Sequence, residues 1–259
     1  MSSDLVRIAV VGLGAMGANH VRVIQAHPSA VLSGVCDTDP ERAAAIGESL
    51  GIPSCSSIDD LQPSDAVVLA TPTAFHAEDA LSLLATGIPL FVEKPLADDL
   101  VLVQALIDTA TAGGVPLMCG FVERFNPAII ALAKVIKQPL FIESHRLHPF
   151  FERGTDVDVI LDLMIHDLDI ILHFVRSPLK AIDAVGVSVL SDKVDIANVR
   201  LKFASGCVAN ITASRVTGKT LQKIRFFGID GYHAVDFSKR DLISLSKKTS
   251  ESGKLEIFS

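Results

Sequence analysis

Cysteine is scarce in this sequence, and what there is does not come in pairs. Cys36, Cys55, Cys119 and Cys207 are scattered along the chain, with none of the short spacings that gather zinc or form a redox motif. They read as reduced core thiols, and no metal site is expected. An excess of positive charge is also missing: 23 Lys and Arg against 30 Asp and Glu give a net charge of −7. Without a basic patch to neutralise a phosphate backbone, nucleic acid is excluded as a partner. No apolar stretch reaches membrane-spanning length, and the first one has neither a basic run before it nor a small-residue cleavage site after it. The expectation is a cytoplasmic protein with no membrane partner. What is present is apolar content, 49% of 259 residues, enough for one large or two ordinary domains.

The most informative stretch opens the chain. Val6 to Val11 is apolar and runs into Gly12-Leu13-Gly14-Ala15-Met16-Gly17, a Gly-x-Gly-x-x-Gly spacing that reads as strand, tight turn and helix. Gly12 permits the turn, Gly14 lets the backbone approach a pyrophosphate, and Gly17 lets the helix pack closely on the strand. Ala15 and Met16 begin the helix whose N-terminus faces the phosphates. A second apolar run, Ala30 to Cys36, ends in Asp37, about 20 residues past the last glycine, where a dinucleotide-binding unit places its ribose acid. A carboxylate there accepts hydrogen bonds from the 2′- and 3′-hydroxyls and repels a 2′-phosphate, so the expected cofactor is NAD.

Helix-like and strand-like pieces then alternate: helix from Pro40 to Leu50, strand from Ala66 to Ala70, helix from Ala77 to Thr86, helix from Asp98 to Gly113 and strand from Val115 to Cys119. This rhythm implies a parallel sheet, whose ligands sit beyond the carboxyl ends of the strands. Two strand ends are chemically notable. Thr71-Pro72 with His76 either lines that crevice or simply ends a strand and starts a helix in solvent. Pro89 to Val92 runs into Glu93-Lys94-Pro95, and a carboxylate and an ammonium leaving a buried strand where the nicotinamide should lie point to function. Neighbours on a strand face opposite ways, so a Glu93–Lys94 ion pair is a poor alternative.

The predicted boundary falls near Gly120, giving a cofactor domain over 1–120 and a substrate and oligomerisation domain over 121–259. The junction holds Glu123, Arg124 and Asn126. Glu123 and Arg124 form an inter-domain ion pair, or Arg124 and Asn126 line the substrate cleft. A helix follows over Ala128 to Lys137, with Pro127 suited to its first position. Beyond it come runs of hairpin character: Leu140 to His145, Lys180 to Leu190, Val194 to Phe203, Gly206 to Ser214, Leu221 to Asp230 and Gly231 to Phe237. They predict an open, mainly antiparallel sheet backed by helices, whose outer face joins subunits into a homodimer or homotetramer. Ser238 to Lys254 is charged and poorly patterned, and the domain reads as C-terminally short.

One helix interrupts those strands. Asp156 to Val175 is apolar nearly all round, yet Asp158, Asp162, His166, Asp169 and His173 recur at three- and four-residue steps and form one polar stripe. Burying such groups costs several kcal/mol unless they line a wet cavity or are paired. The stripe therefore lines a pocket, or else Asp162 and His166 form a hydrogen-bonded pair without chemistry. Asp167, off the stripe, caps or pairs locally. His145, His148 and His166 do not converge readily on a metal.

Taken together, the glycine fingerprint, Asp37, Thr71-Pro72 with His76, Glu93-Lys94-Pro95, and Asp162 with His166 resemble the glucose-fructose oxidoreductase/inositol dehydrogenase/MocA family. The resemblance implies a Rossmann dinucleotide-binding domain followed by an α+β domain. It further implies that Lys94 contacts both the nicotinamide ribose and the substrate hydroxyl, that a cis peptide bond precedes Pro95, that His166 is the general base and that Asp162 orients the substrate. His148 to Gly154 would then form a loop over the cleft, with Arg153 available to a phosphate. Alcohol oxidation fits this set, because a base near neutrality must take the hydroxyl proton and a cation must steady the developing alkoxide. Gly120 to Pro127 and Asp162 to Asp167 look most like the UDP-N-acetylglucosamine 3-dehydrogenase branch. The expected function is thus NAD-dependent oxidation of a sugar or nucleotide sugar. The enzymatic alternative is an inositol or polyol dehydrogenase, and the alternative of another class is a non-catalytic NAD-binding sensor or assembly subunit.

Overall fold

A computed structural model describes residues 5–151, 157–229, 231–249 and 255–258. The chain divides into two compact units, Met1–Gly120 and Phe121–Ser259. The first contains β1 (Val6–Val11), α1 (Ala15–Ala26), β2 (Ala30–Cys36), α2 (Pro40–Leu50), β3 (Ser54–Cys55), β4 (Ala66–Leu69), α3 (Thr73–Ala85), β5 (Leu90–Glu93), α4 (Leu100–Gly113) and β6 (Leu117–Gly120). The strands lie in the order β3-β2-β1-β4-β5-β6, all parallel. The order reverses between β1 and β4, which makes their carboxyl ends the crevice of the sheet. Ala9, Val10, Val67, Leu69 and Val92 are buried because helices cover both faces of a parallel sheet, so its strands read as continuous apolar runs.

Helix ends explain where the helices begin. Asp39 caps α2 by accepting from the N–H groups of Glu41 and Arg42, with Pro40 in the first turn, and Gly51 closes it at φ +65°. Asp99 caps α4 in the same way, so that helix starts at Leu100 rather than at the expected Asp98. α3 begins at Thr73, a turn before the expected Ala77, because Pro72 sits at its N-cap, where a missing N–H costs nothing.

The second unit holds α5 (Pro127–Leu132), β7 (Pro139–Leu147), a π-helical turn (Ile160–Met164), α6 (Ile165–Val175), β8 (Leu179–Val187), β9 (Ile196–Phe203), β10 (Val208–Ser214), β11 (Leu221–Gly228), β12 (Gly231–Asp236), β13 (Asp241–Thr249) and β14 (Leu255–Phe258). They form one sheet in the order β14-β13-β12-β11-β7-β10-β9-β8. Among the described residues of this sheet only β7 and β10 run parallel, and every other pairing is antiparallel. One face is the core: Ile142, Ile211, Ile224 and Phe226 pack with Ile170 and Ile171 of α6. On β9, Leu201 and Phe203 are buried while Arg200 and Lys202 are exposed, the period of two read from the sequence. Each fully buried aliphatic side chain contributes about 1.5–3 kcal/mol.

Three expectations need correction here. The helix after Asn126 ends at Leu132, not Lys137. The segment after Phe237 is not patternless, since β13 pairs from Asp241 to Ser246 with β12. Its alternation was masked because Ser244 faces inward, its hydroxyl 2.7 Å from Nδ1 of buried His233. The long helix is not uniform either: Asp156 lies outside the described residues, and Ile160–Met164 is wound as a π-helix before α6 begins.

Candidate active site

The glycine turn is dictated by what lies against it. Gly12 has φ +83°, and a Cβ there would stand 2.6 Å from the Thr71 nitrogen, because the chain leaving β4 passes directly beside the chain leaving β1. A Cβ on Gly17 would lie 1.8 Å from the Gly12 carbonyl oxygen. Gly14 is different, with no atom within 4 Å of where its Cβ would be. Gly14 is also the N-cap of α1 and offers the helix no side-chain cap; Ala15 and Met16 follow, Met16 40% exposed. No side chain caps the first N–H groups of α1, and no Cβ stands in front of Gly14, which is the arrangement a pyrophosphate needs.

Asp37 is fastened to this turn. Its Oδ2 accepts the Leu13 N–H at 2.7 Å and its Oδ1 accepts the Asp39 N–H at 2.9 Å. The guanidinium of Arg42, half-exposed, lies 3.2 Å from both carboxylate oxygens. Burial alone would raise the carboxyl's pKa, but the two N–H groups and Arg42 together hold it below the usual range. The acid stays ionised and aimed, as a ribose diol requires. These residues fit NAD on shape and on charge.

At the two strand ends the structure redistributes the expected roles. His76, expected among the cofactor contacts, is 1% exposed, and its Nδ1 and Nε2 lie 2.7 Å from the carbonyl oxygens of Pro95 and Thr71. The ring ties the exit of β4 to the exit of β5. Thr71 in turn donates its hydroxyl to Asp79 at 3.1 Å. Glu93 is likewise built into the protein: its Oε1 lies 2.7 Å from Nε2 of His20 on α1, and its Oε2 accepts the Lys94 N–H at 3.3 Å. A Cβ on Gly120 would come within 2.9 Å of that second oxygen, so a side chain there would push the Glu93 carboxylate. Lys94 is half-buried, and the Lys94–Pro95 bond is cis, as the resemblance implied.

The acid-rich helix is anchored before it starts. Asp158 accepts the Val194 N–H at 2.9 Å, and Val159 N–H donates to the Val194 carbonyl at 2.9 Å. Arg215 holds the preceding turn through the Val157 carbonyl at 2.9 Å and pairs with Asp195 at 2.8 Å. Asp195 also accepts the N–H groups of Val189, Leu190 and Ser191. Burial opposes its charge, but the Ser191 hydroxyl, these N–H groups and Arg215 hold the carboxyl far below the usual range. The π-helical turn then inserts between Asp158 and α6. π-Turns recur at functional sites, and this one carries Asp162, with His166 at the start of the regular helix. Both are half-buried.

The stripe as expected does not hold together, because the wider turn rotates the residues after it and because two of its members are paired within the protein. Asp158 is tied to the Val194 N–H, and Asp169 receives both arms of the Arg124 guanidinium, Nε at 2.6 Å and Nη2 at 2.5 Å. This bidentate pair fixes Arg124 against α6. Asn126 caps α5 by accepting the Ala128 N–H and donates to Glu123 and the Phe237 carbonyl, so its amide is committed. Asp167, off the stripe, is the most buried acid on the helix, bonded to Ser144 and to Arg146 at 2.8 Å. Arg146 also reaches Glu123 and stacks on Phe237. Arg124 and Arg176 charge the surroundings of His173 and, after burial, lower its pKa. His148 follows β7 with Nδ1 2.6 Å from the Pro149 carbonyl. Arg153 lies outside the described residues.

Sequence reasoning missed His20, Arg42, Ser144 and Arg146. His20 sits three residues past Gly17, on the face of α1 that meets Phe91, with ring centroids 5.3 Å apart, and that spacing was a usable signal. Ser144 and Arg146 alternate with Glu143 and His145, but nothing local says which pair faces the core. Among the described residues no three His, Cys, Asp or Glu side chains could hold a metal, and no helix is long and apolar enough to cross a membrane.

A doubly wound parallel sheet with an open glycine cradle and a fixed ribose acid defines a domain built to bind NAD. Residues 6–121 match the family described as "Oxidoreductase family, NAD-binding Rossmann fold" and residues 137–233 the GFO/IDH/MocA C-terminal domain; the chain belongs to the Gfo/Idh/MocA oxidoreductase family. It is 37% identical over 238 residues, 91% of this chain and 75% of the other, to UDP-N-acetylglucosamine 3-dehydrogenase of Acidithiobacillus ferrooxidans. A solved structure of that organism's UDP-N-acetylglucosamine 3-dehydrogenase GnnA superposes with a TM-score of 0.89 at 34% identity, covering 98% of this chain and 83% of that one. An inositol 2-dehydrogenase from Leifsonia xyli subsp. xyli is 30% identical over 188 residues, 68% of this chain and 56% of the other.

Proposed function

We propose that this protein oxidises the 3-hydroxyl of UDP-N-acetylglucosamine to a ketone. The observation that carries the reading is the joint presence of Lys94, at the end of β5, and of Asp162 and His166, on the π-turn helix, in a chain 37% identical to an enzyme of that name. When bound, NAD supplies the hydride-accepting carbon. His166 takes the hydroxyl proton as the carbonyl forms, and the Lys94 ammonium steadies the oxygen while its charge develops. Asp162 orients the sugar. The Glu93 carboxylate, held by His20, fixes the backbone from which Lys94 projects, and Asp37 sets the preference for a free ribose diol. A binding module has no use for a base and a cation at these positions, which disfavours the non-catalytic sensor or assembly subunit.

In the same reading 1–120 is the cofactor domain and 121–259 the substrate and oligomerisation domain. Arg153 and His148 are assigned to the diphosphate. Arg124 and Asn126 support the cleft wall from their positions beside Asp169 and α5. The outer face of the second sheet is assigned to a homodimer or homotetramer contact. It carries a trough of about 410 Å³ lined by Glu143, His145, Asp183, Arg200 and Asn210, and Val185 on that face is 59% exposed. Light scattering coupled to gel filtration reads that assignment directly. A cytoplasmic location goes with NAD as the hydride acceptor. Inositol oxidation is the second reading, favoured by the 30% identity to an inositol 2-dehydrogenase. NADH formation from UDP-N-acetylglucosamine, free N-acetylglucosamine and myo-inositol, measured side by side, separates the two; turnover of inositol alone overturns the nucleotide-sugar reading.

A further inference from the structure

Two of the four cysteines, 19 positions apart in sequence and without any motif spacing, meet at the adenosine end of the cofactor cradle. Cys36 is the last residue of β2 and Cys55 the last of β3, and the two are direct partners in the parallel ladder. Parallel neighbours stand about 4.8 Å apart, inside the Cα separation that a disulfide spans. Partners in register point to the same side of the sheet, and both side chains belong to one apolar cluster. The Cys55 thiol donates to the carbonyl of Val35, the residue before Cys36, at 3.8 Å. The next residue after Cys36 is Asp37, whose N–H donates to the Cys55 carbonyl at 3.2 Å. The backbone that carries Asp37 is therefore tied directly to the strand end that carries Cys55.

We propose that Cys36 and Cys55 are a modification site, a dithiol that a hydroperoxide converts to a disulfide and that thereby weakens NAD binding through Asp37. The two thiols are unequal. Cys36 is 2% exposed, and burial, with the adjacent Cys55 thiol and the charges of Asp37 and Asp79, pushes its pKa up to about 12. Cys55 is half-buried, so it is the thiol that a small oxidant reaches first. In the first step the Cys55 sulfur attacks one peroxide oxygen. The S–O bond forms, the O–O bond breaks, and the departing hydroxide leaves as water with the proton that Cys55 gives up. In the second step the Cys36 sulfur attacks the Cys55 sulfenic acid. The S–S bond forms, the S–O bond breaks, and hydroxide leaves as water with the Cys36 proton. Two thiols lose two electrons and the peroxide is reduced to two waters. A thiol reductant reverses the bond.

Closing a bond of about 2.05 Å between two ladder partners whose thiols are free in the reduced protein draws the ends of β2 and β3 together and moves Asp37 off the ribose. Losing one charge-assisted hydrogen bond to the ribose weakens NAD by about tenfold. The test treats the whole folded protein with hydrogen peroxide, blocks the remaining thiols, and maps the peptides by mass spectrometry before and after a thiol reductant. NADH affinity is measured by fluorescence titration on the same samples. The expected result is a reducible Cys36–Cys55 peptide, two hydrogens lighter, with Cys119 and Cys207 alkylated and NADH bound about tenfold more weakly until reduction. In Cys36→Ser, peroxide should leave a sulfenic acid on Cys55 that dimedone captures, with no reducible peptide and no tenfold change. A cross-link that forms only after denaturation in urea overturns the site. A cross-linked protein that binds NADH as the reduced one does overturns the link to Asp37.

Discussion

Replacing Asp37 with serine should turn an NAD site into one that accepts NADP, and the structure says by how much. In the native site the carboxylate accepts ribose hydroxyls, a charge-assisted contact of about 1.5–3 kcal/mol, and it repels a 2′-phosphate. At roughly 5 Å and an effective dielectric near 20, that repulsion is about 3 kcal/mol per unit charge. Asp37→Ser removes both effects and releases Arg42, now 3.2 Å from the carboxylate, to meet the phosphate. Because Arg42 is half-exposed, its contribution is about 1 kcal/mol or less. The ratio of NADPH to NADH affinity should therefore rise by at least about 10³-fold, partly through weaker NADH. Fluorescence titration of both reduced cofactors reads the ratio without any substrate. Adding Arg42→Ala should cancel several-fold of the gain in NADPH while leaving NADH unchanged. A ratio within about threefold of wild type would refute the placement of the ribose at Asp37.

Lys94→Ala should keep the fold and most NAD affinity while losing nearly all turnover, and His166→Ala should lose on the order of 10²–10⁴-fold in kcat through the missing proton transfer; stopped-flow hydride transfer checks both. Asp195→Ala leaves Arg215 buried without its acid and should cost about 3–5 kcal/mol, seen as a lower Tm by calorimetry. Because the folded-state pKa of Asp195 is depressed, its contribution is present above its unfolded value of 3.8 and is lost as pH falls through the folded value. The Tm deficit of the variant should therefore shrink as acid is added. Arg153→Ala should raise KM for the UDP-sugar far more than it moves Tm, since it removes binding common to ground and transition states; an unchanged KM with lower stability withdraws Arg153 from the substrate.

The cofactor half was legible because its signals are local. Gly12, Gly14 and Gly17 are each demanded by a contact or a gap within a few residues or one neighbouring loop, and Asp37 follows at a fixed distance. Asp162 and His166 were legible as polar positions on an apolar helix, but the π-turn between Asp158 and α6 was not, because one extra residue per turn leaves no mark in spacing. Long-range pairings were hidden for a plainer reason. Whether Arg146 or His145 faces inward depends on which side of β7 meets α6, and only Asp167 on that helix decides it. The same holds for Cys36 and Cys55, whose contact is set by the register of β2 with a two-residue strand. β13 was missed because Ser244, bonded to His233, interrupts the apolar alternation that Leu242 begins on the core side.

Hydride transfer from a nucleotide sugar to NAD is read by NADH formation on mixing the protein with UDP-N-acetylglucosamine and NAD, with the 3-keto sugar identified by mass spectrometry. The native protein should form NADH and the 3-keto product in equal amounts, and Lys94→Ala and His166→Ala should form neither at a comparable rate. NADH formed from myo-inositol and none from the UDP-sugar, or turnover by the two variants equal to that of the native protein, would contradict it.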